Sequence, residues 1–114
     1  MNIRKELTKG SSAMLVLSVL EKEDLYGYMI IKRIYERSET VFSFKEGTLY
    51  PILHNFESNG YVKSYTTEVE GRKRKYYKIT KKGLKALNEA KEEWNSYTVA
   101  VRKVIDSGAS TAMA

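Results

Sequence analysis

Apolar positions along the chain fall first into helical and then into alternating registers, and each change of register marks a boundary. Residues 3 to 20 carry Leu7, Met14, Val16, Leu17 and Leu20 at spacings that suit a helix lying on a core, and Glu21-Lys-Glu-Asp24 interrupts it. A second helix, from about Tyr26 to Arg37, places Met29, Ile30, Ile31 and Ile34 on its buried side, and Ser38-Glu-Thr40 reads as the following turn. The third helix has two readings. Ser43-Phe-Lys-Glu46 is a capping-box pattern that starts it near residue 44, whereas Pro51, comfortable only in a first turn, favours a start nearer Gly47 or Thr48. The later start is preferred here, with Leu49, Ile52, Leu53 and Phe56 inward and Asn59-Gly60 as the stop. Tyr61 to Thr67 and Lys75 to Thr80 are β-rich segments on either side of Glu70-Gly71, which predicts a hairpin. Thr80 is the expected N-cap of a last helix, about Lys81 to Asp106. Its apolar positions Leu87, Ala90, Trp94, Tyr97, Val101 and Val104 are spaced 3, 4, 3, 4 and 3 residues apart, a coiled-coil-like stripe.

The predicted order is helix, helix, turn, helix, hairpin and long helix: a mainly α fold with a small β-hairpin, the order of a winged helix-turn-helix with a long C-terminal appendage. The 114 residues leave room for one compact domain, taken as residues 1–80, with residues 81–106 as a dimerisation helix and 107–114 as a disordered tail without periodicity. Charge sharpens this picture. Between Lys63 and Lys85 nine Lys or Arg stand against Glu68 and Glu70, a local +7 within a formal total of +6. A patch that concentrated suits a polyanion, the alternative being solvated charge on a surface hairpin. The absence of cysteine excludes disulfides and thiolate metal sites, and the longest apolar run, Ala13 to Leu17, is too short to span a bilayer. No membrane is expected, and the cytoplasm is the expected compartment.

A short polar-faced helix followed by a two-stranded ribbon with cations at its tip is the arrangement with which a winged helix addresses double-stranded DNA. The helix presents groups to base edges and the tip presents cations to phosphates. Thr48, Tyr50 and His54 lie on the side of the third helix away from Leu49, Ile52 and Phe56, where a hydroxyl, a phenol and an imidazole can reach phosphates or bases. Ser43 and Lys45 at the helix entrance add candidate phosphate contacts, although Ser43 also fits a plain N-cap. Arg72, Lys73 and Arg74 form the sharpest electrostatic feature, with alternation putting Arg72 and Arg74 on one face and Lys73 and Lys75 on the other. Arg4, Lys5 and Lys9 either extend the contact or decorate the surface. His54 is the sole histidine and has no neighbours of metal-ligand type.

Leu25-Tyr-Gly-Tyr28, Glu46-Gly-Thr-Leu-Tyr-Pro-Ile-Leu53 and Gly71-Arg-Lys-Arg-Lys-Tyr-Tyr77, followed by Ile79-Thr80 and Gly83, stand in the order and spacing of the PadR family of transcriptional regulators. The chain resembles that family over about residues 5 to 105. The resemblance implies a homodimeric winged-helix repressor that binds an inverted-repeat operator and is released by a small effector. It also singles out Tyr50 as a phosphate contact. The single C-terminal helix is similar to that of the compact subfamily, in which it builds the dimer, and some compact members hold flat hydrophobic drugs between paired tryptophans of that helix. Trp94 stands where that tryptophan would be. The wing carries one glycine where many relatives have two.

Dimer interface is the expected role of Leu87, Ala90, Trp94, Tyr97, Val101 and Val104, because a small winged domain cannot cover so many apolar positions. Trp94 and Tyr97 also serve as candidate effector contacts, with Leu7, Ser11 and Met14 of the first helix as neighbours of the same cavity, while core packing is the alternative for Met14. No cofactor and no catalytic site are expected, since the chain lacks a glycine-rich phosphate loop and paired carboxylates on a shared apolar face. The rival readings are a protein–protein module docking an acidic partner, an RNA binder stacking bases on Tyr65, Tyr76 and Tyr77, and a constitutive DNA binder in which Trp94 only packs.

Overall fold

The computed structural model describes residues 2–107, with the helical backbone of the last element followed to Met113. The elements are α1 (Ile3–Lys22), β1 (Leu25–Tyr26), α2 (Gly27–Arg37), α3 (Glu46–Ser58), β2 (Val62–Val69), β3 (Arg72–Ile79) and α4 (Lys81–Met113). The helix expected to end at Asp106 extends to Met113, through most of the stretch expected as a tail.

One apolar cluster joins all of them. Val16, Leu17, Val19 and Leu20 of α1 meet Ile30 and Ile34 of α2, Leu49, Leu53 and Phe56 of α3, Val62 and Tyr77 of the sheet, and Leu87 of α4. Two buried hydroxyls lie on α1, and both bond within the helix: Ser12 donates to the Thr8 carbonyl at 2.7 Å, and Ser11 to those of Thr8 and Leu7 at 3.2 and 3.3 Å. Burial therefore costs neither a hydrogen bond.

The sheet has three strands in the order β1-β3-β2, all antiparallel, where the sequence predicts two. A two-residue strand has no periodicity to read, and β1 exists only because Leu25 and Tyr26 pair with Tyr77 and Tyr76. The hairpin is longer than expected. Glu70 and Gly71 close it at φ +52° and +78°, the pair of positive values that a two-residue type I′ turn demands and that a glycine supplies without strain. Arg72 to Lys75 therefore form the first half of β3 rather than a loop.

The α3 start lies at Glu46, close to the later of the two expected positions. Lys45 is the N-cap and makes no side-chain capping bond, so the Ser43 capping box does not form and Ser43 lies two residues outside the helix. Pro51 sits in the second turn rather than the first, leaving the Gly47 carbonyl without its intrahelical donor. Thr80 caps α4 as expected: its hydroxyl accepts from the Gly83 N–H at 3.0 Å and donates to the Gly60 carbonyl at 2.6 Å.

The stripe on α4 serves two surroundings. Leu87, expected at a dimer interface, is wholly buried in this chain's own core, because α4 packs on α1 and β3 there. Ala90 is half-buried, and from Trp94 onward the stripe stands exposed as the helix leaves the body of a molecule 65 × 28 × 23 Å in extent. Leu87→Ala is expected to cost about 2–5 kcal/mol of stability in urea unfolding. A loss below about 1 kcal/mol would place Leu87 outside the core.

Candidate nucleic-acid interface and apolar groove

Burying Leu49, Leu53 and Phe56 fixes which residues of α3 face solvent. Gly47, Pro51, His54 and Ser58 form the outermost row at helical spacing, with Tyr50 on one flank and Thr48 and Asn55 on the other, all exposed. Thr48 thus lies on the opposite flank from Tyr50 and His54 rather than beside them. Asn55 was missed by sequence reasoning, although its carboxamide is the side chain best matched to an adenine edge and its position follows from the same periodicity. The Tyr50 ring lies over Gly27, where an added Cβ would meet the phenol oxygen and force the ring to shift.

The wing cations are not equivalent. Arg72 and Lys73 are exposed and join no ion pair among the described residues. Arg74 folds back over the Tyr26 ring at 4.4 Å, a cation–π contact that holds its guanidinium against the sheet. Lys75, on the other face, reaches Glu57 near the end of α3 at 3.6 Å, and Ser64 donates to the same carboxylate at 2.8 Å. The outer face of the sheet carries a row of rings: Tyr26 meets Tyr76 edge-on at 5.5 Å, Tyr76 stacks on Tyr65 at 5.7 Å, and the Tyr65 hydroxyl donates to Asp24 at 2.6 Å. Tyr77 is buried, so the three tyrosines do not form a shared open platform for bases.

At the other end of α3, a broad groove of about 1030 Å³ separates α1 from the segment leading into the helix. Ser43, Lys45 and Thr48 line one side and Arg4, Lys5 and Lys9 the other. Between α1 and α4 a second, apolar groove of about 430 Å³ is lined by Leu7, Met14, Ala90, Trp94 and Tyr97, with Glu6 and Glu93 on its border. Four of the five expected effector residues meet there. Ser11 does not, since its buried hydroxyl is turned into the backbone of α1. The rings of Trp94 and Tyr97 lie 6.4 Å apart and both are exposed. Among the described residues no set of His, Cys, Asp or Glu side chains is placed to hold a metal, and no helix is long and apolar enough to cross a membrane.

A family model described as the transcriptional regulator PadR-like family matches residues 16–89. The chain belongs to the PadR-like family. A PadR family transcriptional regulator from Eggerthella lenta superposes with a TM-score of 0.79 at 34% identity, over 89% of this chain and 87% of that one. A transcriptional regulator from Clostridium thermocellum gives 0.76 at 37% identity, over 90% and 96%. An uncharacterized Lysinibacillus sphaericus protein is 33% identical over 105 residues, 91% of this chain and 93% of its own. Membership places the chain among PadR-type transcriptional regulators rather than enzymes. The contact of Tyr50 with Gly27 ties two of the PadR-like segments, Leu25 to Tyr28 and Glu46 to Leu53, into one packing unit. The PadR match stops short of Trp94 and Tyr97, and begins after Arg4, Lys5 and Lys9.

Two phenols are held above their ordinary value of 10.0: Tyr65 by its hydrogen bond to Asp24, and Tyr77 chiefly by burial. Folding favours their neutral forms, so the stability they carry is complete below 10.0 and is lost as the pH rises through the raised folded values. Tyr65→Phe or Tyr77→Phe should each shallow the alkaline loss of stability measured by urea unfolding at rising pH. An unchanged alkaline limb in both variants would contradict the assignment.

Proposed function

We propose that this chain is a homodimeric repressor that reads an inverted-repeat operator in the cytoplasm and is released by a small, flat, hydrophobic effector. The observation that carries the reading is the exposed half of the α4 stripe. Trp94, Tyr97, Val101 and Val104 continue the heptad-like spacing that begins with buried Leu87, yet are 40%, 63%, 37% and 76% exposed. A second α4 laid against this stripe removes that apolar surface from water, and its two-fold symmetry sets two copies of α3 side by side. Half-sites one helical turn apart require recognition helices about 34 Å apart. In each protomer α3 enters a major groove with His54 and Asn55 outward, Tyr50 and Thr48 flank it, and Arg72 and Lys73 neutralise phosphates beside it.

The apolar groove supports the effector half of the reading. Its volume suits a small ligand, its rings suit a flat one, and Glu6 and Glu93 at its edge favour a cation. One wall is α1 and the other α4, so a ligand wedged between them shifts the reading domain relative to the dimer helix. It weakens operator affinity only by its differential affinity for the two arrangements.

Val101→Glu should convert the dimer to monomer in sedimentation equilibrium and weaken operator binding, while leaving urea unfolding of the winged domain cooperative. A variant that stays dimeric would remove α4 from the interface. For the effector, titration of Trp94 fluorescence with planar aromatic cations should give saturable quenching, with phenolic acids weaker and the preference reduced in Glu93→Gln. A flat response would leave a constitutive DNA binder in which Trp94 only packs.

A further inference from the structure

The amino-terminal turns of α1 carry Arg4, Lys5 and Lys9, and the fold sets them across a groove from Ser43, Lys45 and Thr48, which lead into and begin α3. Lys9 and Lys45 are 36 positions apart in the chain, so this is no local charge run. Four cations border the groove against one carboxylate, Glu6. None of the four joins an ion pair among the described residues, whereas Lys75, Lys91 and Arg33 each find a carboxylate. Cations that outnumber the counter-charges around a cleft repel one another, and a polyanion passing between them relieves that repulsion.

Position within the fold selects the polyanion. The wing meets α3 at its carboxyl end, through Lys75 and Glu57, while the basic groove opens at its amino end, through Lys45 and Thr48. Glu57 stands nine residues beyond Thr48 and twelve beyond Lys45, which separates the two by about 14–18 Å at 1.5 Å per residue. A major groove is about 12 Å wide, so contacts that far apart reach the two backbones that bank it. A small free anion would fill only part of a groove of about 1030 Å³ and would use none of this spacing.

We infer that the groove between α1 and the segment entering α3 is a second phosphate-backbone site, so that each protomer grips DNA at both ends of α3. The inference rests on α3 being the recognition helix. Residues 3–9 of α1 lie outside the part of the chain matched by the family model, and the site stands on this chain's own cations.

The test uses the full chain and a duplex selected from a random pool by binding to it, with affinity measured against potassium chloride concentration. Lys5→Ala/Lys9→Ala should lower the slope of log K against log salt by about two, and weaken binding on the order of tenfold at about 0.1 M salt. Lys73→Ala in the wing should lower the slope by about one, and Glu6→Gln should tighten binding. Both lysines are exposed and alanine is a strong helix former, so thermal unfolding should stay at the parental temperature and exclude misfolding as the cause. An unchanged slope in the double variant beside a flattened one in Lys73→Ala would overturn the groove and leave the recognition helix and wing intact. Selection that yields no duplex preferred over random DNA would sink both this site and the reading on which it rests.

Discussion

Burial of the carboxyl half of α1 is the constraint on which the rest of the molecule depends. Val16, Leu17, Val19 and Leu20 lie at the junction of α2, α3, the sheet and the start of α4, and none of those elements closes a core without them. A helix surrounded at one end has no freedom at the other. The amino half of α1 therefore projects from the body on a fixed line, carrying Leu7 and Met14 toward α4 on one side and Arg4, Lys5 and Lys9 toward the entrance of α3 on the other. Glu6 borders both grooves, so one short stretch of helix is a wall of each.

The same economy governs α3 and the wing. Packing Leu49, Leu53 and Phe56 inward leaves Gly47, Pro51, His54 and Ser58 outward, and the Tyr50 ring on their flank lies against Gly27 of α2. The wing is braced rather than loose. β1 extends the sheet, Tyr26 meets Tyr76 edge-on and Tyr76 stacks on Tyr65 across it, and Asp24 ties the row down through Tyr65. Arg74 is drawn into this brace over Tyr26, leaving Arg72 and Lys73 as the unengaged cations near the turn. The run of four cations in the sequence thus divides into two that stabilise the ribbon or its contact with α3 and two that project from it.

Most elements were legible because their signals are local. Helical spacing located α1, α2 and α4, the Glu70-Gly71 pair located the hairpin turn, and Thr80 announced the cap of α4. Two local signals conflicted over the start of α3. Ser43 to Glu46 has the pattern of a capping box, but the chain there is committed to burying Phe44, and the helix begins at Glu46 behind an uncapped Lys45. Pro51 argued for a first-turn position, yet the packing of Leu49 and Leu53 holds the helix regular around it.

What the amino-acid sequence by itself determined is the element order, the polar face of α3, the basic ribbon and a continuous stripe on α4, because each is a periodicity within one segment. What only the tertiary structure decided depends on pairs of residues distant in the chain. The strand β1 exists by pairing with Tyr76 and Tyr77, Leu87 belongs to the core because α1 and β3 meet it there, and Arg74 is engaged because Tyr26 lies beneath it. The meeting of Arg4, Lys5 and Lys9 with Lys45 is of the same kind: four ordinary surface cations border one groove only because the fold brings two remote segments to its sides. Periodicity reports which side of an element is buried, but it carries no information about what lies opposite.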